Sequence, residues 1–359
     1  MNRTLIIAPA WIGDMVMAHT LVQRLVAADA THEIHMLAPP ATAPIAQRMT
    51  EVAQVHELAI AHGEFGLRKR YQMGRELAGI GFSHSYVLPN SWKSALVPWF
   101  ARVPHRSGWL GEARRVLLND TAALQPEQLP LMIERFMALQ DLGATQTPGY
   151  RLLKPYPRPA LEVDVERQQQ LGQQHGLHMD GTAVALCPGA EFGQAKRWPV
   201  EHVAAVARAL LAASVPVWLL GGPADRDVCG AVVQLVTESE VTTGPLLTNL
   251  AGETSLSDAV DVLAAARAVV CNDSGLMHVA CAVDTPSVAV YGSTSPDFTP
   301  PLHSDAHALT LVDLDNGAGR LNCQPCFARE CRYGHGDCLA QLSPTYVLDA
   351  LTRLGVLAA

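Results

Sequence analysis

No stretch of this 359-residue chain approaches the ~20 consecutive apolar residues that a bilayer-spanning helix needs. The apolar run at residues 5–10 is too short for a signal-peptide core, and Asp14 follows soon after, so the expected compartment is the cytoplasm. Low-complexity tracts and short-period repeats are missing. So is a G-x-G-x-x-G turn after the first apolar segment, which weighs against a nicotinamide cofactor. Positive charge is in deficit: the net charge of −8 argues against a nucleic-acid partner. Cysteine is present, but Cys187, Cys229, Cys271 and Cys281 lie in apolar strand-like or helix-like contexts. Those four read as small buried hydrophobes, not disulfide partners.

What is there divides in two. The length suits two domains of roughly 150 residues each. Each half opens with an apolar strand, a polar turn and a helical pattern: residues 4–8 and then a helix through Arg24, and residues 182–187 before a longer loop. Further strands are expected at residues 33–37, 85–88, 215–220, 268–271 and 287–291, with helices at 201–212 and 257–266 among those separating them. Alternation of this kind predicts an α/β chain of two doubly wound, Rossmann-like parallel-sheet domains facing a cleft. Three prolines in residues 155–159 mark a linker. The expected division is 1–155, 156–340, and a terminal helix at 341–359 able to pack back on the first domain. Residues 1–160 carry a net charge of +4 and residues 161–359 one of −12, which suggests an acidic ligand for the first half.

The densest chemistry lies at residues 270–280. A buried strand stops at Asn272-Asp273-Ser274-Gly275, and a helical pattern follows through Leu276 and Val279. Such a turn aims free N–H groups and a positive helix end at one point, a seat for a diphosphate. Asp273 beside that seat suits sugar hydroxyls; alternatively, Asp273 or Ser274 caps the helix. In the loop at 187–199, Gly189 and Gly193 give flexibility, and Lys196 and Arg197 stand ahead of a helix. A fixed cation there can meet the negative charge of a departing diphosphate. At residues 219–227 a glycine turn leads to Asp225, which either contacts a nucleoside or caps its own helix. Asp14, after the first strand and Gly13, is either a general base or a helix-start acid.

Arg68, Lys69 and Arg70 sit in a segment read as a loop, with Lys93, Arg102, Arg106, Arg114 and Arg115 further on. Together they can clamp phosphates or carboxylates, or simply coat the surface. Cys323, Cys326, Cys331 and Cys338 fall within sixteen positions and can hold a structural tetrahedral zinc. A thiol cluster without metal is the other reading. Trp92, Trp99, Phe100 and Trp109, near basic residues, fit either a membrane-facing surface or an aromatic core.

Five segments carry a resemblance to a known family: N-D-S-G-L-M-H-V-A at 272–280, C-P-G-A-E-F-G-Q-A-K-R-W-P at 187–199, N-L-A-G-E-T at 249–254, the polar run at 293–301, and V-L-P-N-S-W-K-S-A-L-V-P at 87–98. The chain resembles the ADP-heptose transferases of glycosyltransferase family 9. Residues 87–98 and 104–108 are more similar to members that add a second heptose than to those that add the first. The resemblance implies a GT-B fold with the acceptor in the first domain and the donor in the second. It implies inverting transfer of L-glycero-D-manno-heptose from ADP-heptose to the first heptose of a lipopolysaccharide inner core, with no cofactor required for catalysis. Such an acceptor is lipid-linked, so peripheral contact with the cytoplasmic face of the inner membrane is a further expectation. Asp14 resembles the general base and Lys196 the cation on the donor. Asp273 resembles the carboxylate on the heptose hydroxyls. Gly189, Glu191, Asp225, Ser274, Gly275, Leu276 and His278 resemble other donor contacts, and Arg68, Lys69 and Arg70 resemble acceptor contacts.

Overall fold

The computed structural model describes residues 2–61, 63–239, 246–312, 314 and 321–358. The chain divides into two compact units, Met1–Ala160 and Leu161–Ala359. The proline-rich stretch at 155–159 carries no helix or strand and ends at that division.

In the first unit the elements run β1 (Arg3–Ile7), α1 (Ile12–Ala28), β2 (Glu33–Ala38), α2 (Ala43–Ala46), β3 (Val52–Glu57), α3 (Leu67–Leu77), β4 (His84–Val87), α4 (Leu96–Phe100), β5 (His105–Trp109), β6 (Asp120–Ala122) and α5 (Met132–Met137). All the sheet pairings are parallel, in the order β3-β2-β1-β4-β5-β6. The central strand reads R-T-L-I-I, and its last four residues are buried, as expected where helices cover both faces of a parallel sheet.

The second unit runs α6 (Val165–His175), β7 (Val184–Cys187), α7 (Val200–Ala212), β8 (Val217–Leu219), α8 (Arg226–Thr237), β9 (Leu247–Asn249), α9 (Leu256–Ala264), β10 (Ala268–Asn272), α10 (Gly275–Ala282), β11 (Ser287–Tyr291), β12 (Ala306–Thr310), α11 (Asp337–Ala340) and α12 (Pro344–Arg353). Its order, β12-β11-β10-β7-β8-β9, is again parallel throughout. Numbered from its own first strand, this is the same 3-2-1-4-5-6 winding as in the first unit, the order of dinucleotide-binding sheets. In such a sheet the chain reverses direction of travel beside the first strand. A crevice opens there at the carboxyl ends, between β1 and β4 in one unit and between β7 and β10 in the other.

Two expectations change. The basic triplet at 68–70 is in the first turn of α3, which begins directly after Gly66 in left-handed conformation, rather than in a loop. The terminal helix α12 packs into the second unit: Val347, Ala350 and Leu351 join a core with Val203, Val206 and Leu210 of α7 and Val288 of β11. Its apolar stripe is satisfied within that unit, at roughly 1.5–3 kcal/mol for each fully buried large side chain.

Candidate active site

At the switch point of the second sheet, two loops lie side by side, one following β7 and the other following β10. Lys196 joins them. Its Nζ donates to Asp273 Oδ2 at 2.7 Å and to the Asp273 carbonyl at 3.2 Å. The carboxylate side chain is only 4% exposed and the lysine 16%, so the pair is largely removed from water. Asp273 is itself fixed by its backbone N–H on the Val290 carbonyl, and its Oδ1 lies 3.5 Å from Thr299 Oγ1.

Asn272, the last residue of β10, sets the distance between the two loops. Its Oδ1 accepts from the Trp198 N–H at 3.0 Å, and its Nδ2 donates to the carbonyls of Pro188 and Gly189 at 2.8 and 3.2 Å. Trp198 is buried and donates its indole N–H to the Leu342 carbonyl, which anchors the far end of the Lys196 loop. Arg197 extends toward Asp225, with Nη2 3.9 Å from Oδ1.

Helix α10 begins at Gly275 behind Ser274, whose backbone is extended and whose side chain makes no capping bond. Capping by Ser274, one of the two readings of this turn, is therefore not what the fold uses it for. The positive end of the helix, with Gly275 and Leu276 partly exposed, is directed at the same crevice. His278, one turn on, is buried, and its Nδ1 has no hydrogen-bond partner. Burial lowers its pKa to about 4, opposed by Asp273 and aided by Lys196, so the ring is neutral near pH 7.

Asp225 follows β8. Its Oδ2 accepts the Gly222 N–H at 3.0 Å, closing the start of its own helical turn. A Cβ on Gly189 would lie 2.3 Å from this carboxylate, and one on Gly221 2.6 Å from Asp225 Cβ, so both glycines are needed for its close approach. Glu191 is exposed on the Lys196 loop.

In the first unit Asp14 lies in the first turn of α1, at the carboxyl end of β1 and beside the β1/β4 switch point. Around α3 the basic residues part ways. Arg68 is exposed, Lys69 pairs with Glu64 at 3.1 Å, and Arg70 bonds the carbonyls of Phe65 and Lys93. Arg106 and Arg114 are not a phosphate clamp. Arg114 is fully buried on the carbonyls of Pro89 and Trp109 and on Asn90 Oδ1, and Arg106 bonds carbonyls of Val103 and Leu117. Guanidinium donors were more useful to the fold against these turn carbonyls than to a ligand. Trp109 is likewise interior. By contrast Phe65, Tyr71, Trp92 and Trp99 are 44%, 50%, 38% and 45% exposed. Ring contacts of Phe65 with Trp92, Tyr71 with Phe100 and Trp99 with Phe100 gather them near α3 and α4, among exposed Arg68, Arg75, Lys93 and Arg102.

Cys323, Cys326, Cys331 and Cys338 are free thiols, and among the described residues no three His, Cys, Asp or Glu side chains are placed to hold a metal. Thr299 and the loop-tying bonds of Asn272 have no signal in the sequence, and the Phe192 ring beside the basic pair lies 5.1 Å from Lys196 Nζ.

Residues 70–336 match the model of glycosyltransferase family 9 (heptosyltransferase). The chain is 40% identical to lipopolysaccharide heptosyltransferase 2 of Escherichia coli over 98% of both chains. It is 37% identical to lipooligosaccharide heptosyltransferase 2 of Haemophilus ducreyi over 98% of this chain and 99% of the other. The solved structure of the E. coli ADP-heptose LPS heptosyltransferase II superposes with a TM-score of 0.84 at 37% identity, covering 99% of this chain and 98% of that one. Two doubly wound units of matching topology, a cation–carboxylate pair at the switch point of the second, and relatives spanning almost the whole length place the chain, with its GT-B fold, in glycosyltransferase family 9, the heptosyltransferases.

Proposed function

We propose that this glycosyltransferase moves L-glycero-D-manno-heptose from ADP-heptose to the first heptose of a lipopolysaccharide inner core, with inversion. The observation that carries the donor half is the Lys196–Asp273 pair beside the open end of α10. The ammonium and the first-turn N–H groups meet the diphosphate, while Asp273 accepts from heptose hydroxyls. Asp225 holds the loops against which the nucleoside rests. His278, neutral and buried, supports the turn from behind. Asp14 takes the proton of the acceptor hydroxyl. That oxygen attacks the anomeric carbon as the carbon–oxygen bond to the diphosphate breaks, and ADP leaves with the bonding pair. Arg68 and its neighbours on α3 meet acidic groups of the acceptor.

The exposed aromatic and basic residues of α3, α4 and the segment between them suit the headgroup level of an anionic bilayer, where amphipathic rings and cations both gain. This supports peripheral attachment while a lipid-linked acceptor is engaged. The protein should then sediment with anionic vesicles and not with zwitterionic ones, and Trp92→Ala with Trp99→Ala should weaken that binding; equal behaviour on both vesicle types would remove the membrane reading.

Incubation with ADP-heptose and defined core acceptors tests the reaction. A product heavier by one heptose, of inverted anomeric configuration by NMR, is expected. Release of a C2-epimerised sugar, or donor binding without transfer, would overturn the assignment.

A further inference from the structure

The thiol-rich stretch at 321–338 lies against the loops that form the donor edge. Gln324 Nε2 donates to the Gly292 carbonyl at 3.0 Å, and the backbone N–H groups of Cys326 and Phe327 both donate to the Ser293 carbonyl, at 3.0 and 2.8 Å. Gly292 is tight against Leu339 of α11, since a Cβ there would lie 2.4 Å from Leu339 Cγ. The stretch is thus fastened to the end of β11.

Its other side reaches the Lys196 loop at one residue. The Arg329 carbonyl accepts the Ala195 N–H at 3.0 Å. Gly193 passes so close that a Cβ would stand 2.3 Å from that same oxygen. The Arg329 guanidinium lies over the Phe192 ring at 5.2 Å from its centroid, and Lys196 Nζ lies 5.1 Å from the same centroid. One aromatic ring therefore contacts the cation of Arg329 and the cation of Lys196, with the backbone between them tied to Arg329.

We propose that Arg329 is a positioning residue for the donor: its carbonyl fixes the turn at 193–195, and its side chain orients Phe192, so that Lys196 is held where it meets both Asp273 and the diphosphate. The inference rests on the reading of Lys196 as the donor-phosphate cation. One hydrogen bond, one close backbone approach and one cation–π contact at a single residue set the loop before any ligand arrives, which is how a binding group is held at low entropic cost.

The test compares Arg329→Ala, Arg329→Lys, Gly193→Ala and Lys196→Ala by steady-state kinetics with ADP-heptose, and by calorimetry with ADP alone. Arg329→Ala keeps the carbonyl but loses the stack; it should raise the donor KM and the ADP Kd about two- to fivefold, the worth of one exposed cation–π contact. The acceptor KM and the thermal midpoint should not move, and Arg329→Lys should restore most of the loss. Gly193→Ala pushes on the carbonyl and should cost on the order of tenfold or more in donor KM. Unchanged donor parameters in the Arg329→Ala protein, with Lys196→Ala impaired, would overturn the positioning role alone. An unimpaired Lys196→Ala protein would overturn the donor reading and the inference together. Should Gly193→Ala fail to fold, the Arg329 pair still decides.

Discussion

Lys196 Nζ holds Asp273 twice, by its carboxylate at 2.7 Å and its backbone carbonyl at 3.2 Å, across two loops that follow neighbouring strands. The pair is nearly dry, so each partner is costly without the other.

Replacing Lys196 by Met leaves a buried carboxylate stranded, and Asp273→Leu leaves a buried ammonium. Each single change should destabilise by about 3–5 kcal/mol. The double replacement should cost less than the sum, and denaturant unfolding of all four proteins measures the coupling. Strict additivity would mean that the pair contributes no interaction. In ADP-heptose calorimetry, Lys196→Ala should weaken donor affinity roughly ten- to a hundredfold, the worth of a hydrogen bond to a charged group.

Asp14→Asn keeps size and hydrogen-bonding reach but removes the base. Turnover should fall by about a hundredfold or more, with donor affinity close to that of the parent. Near-normal kcat would exclude Asp14 as the proton acceptor.

Asn272→Ala removes three bonds at one buried point, leaving the Trp198 N–H and the carbonyls of Pro188 and Gly189 to find other partners. A loss of about 3 kcal/mol is expected, from one to three per unsatisfied buried group with partial relaxation. Asn272→Asp should not rescue it, because a second oxygen would face two carbonyl oxygens. Thermal melting of both proteins checks this.

His278 gives stability a pH signature. Its ring stays neutral in the folded chain down to about pH 4, whereas the unfolded chain protonates it near 6.5. Stability should therefore fall as pH drops from 6.5 to 4 and then level off, by about 3 kcal/mol from this group. His278→Gln should make that fall shallower, leaving the part that comes from His32, His56 and His84, whose pKa values burial also lowers. The loss between pH 4.5 and 2 should remain, because the hydrogen bond from His19 holds Glu51 at about 2. An upper slope as steep in the variant as in the parent would assign it elsewhere.

Central strands were legible because they are buried on both sides: β1, β10 and β11 are apolar runs bounded by polar turns, and their limits fall within one residue of the expected ones. The edge strand β3, with V-A-Q-V-H-E and not one fully buried residue, gives no such signal, and three-residue strands such as β6 and β9 offer too little pattern. Their pairing comes from the sheet beside them. The Arg114 outcome is of the same kind. Nothing in the residues near it announces a fully buried guanidinium, since its acceptors are carbonyls that only a folded turn presents.

By itself the sequence determined the doubly wound class, the strand-to-helix turns with their glycines, and the family, because these depend on local pattern and on residues adjacent in the chain. Tertiary structure alone decided that β7 and β10 are neighbours, and hence that Lys196 meets Asp273, that Asn272 ties their loops, and that Arg329 reaches Phe192. Strand order is set by how apolar helix faces bury against a twisted sheet, a property of the whole unit. A contact between residues so far apart in the chain exists only once that packing has been chosen.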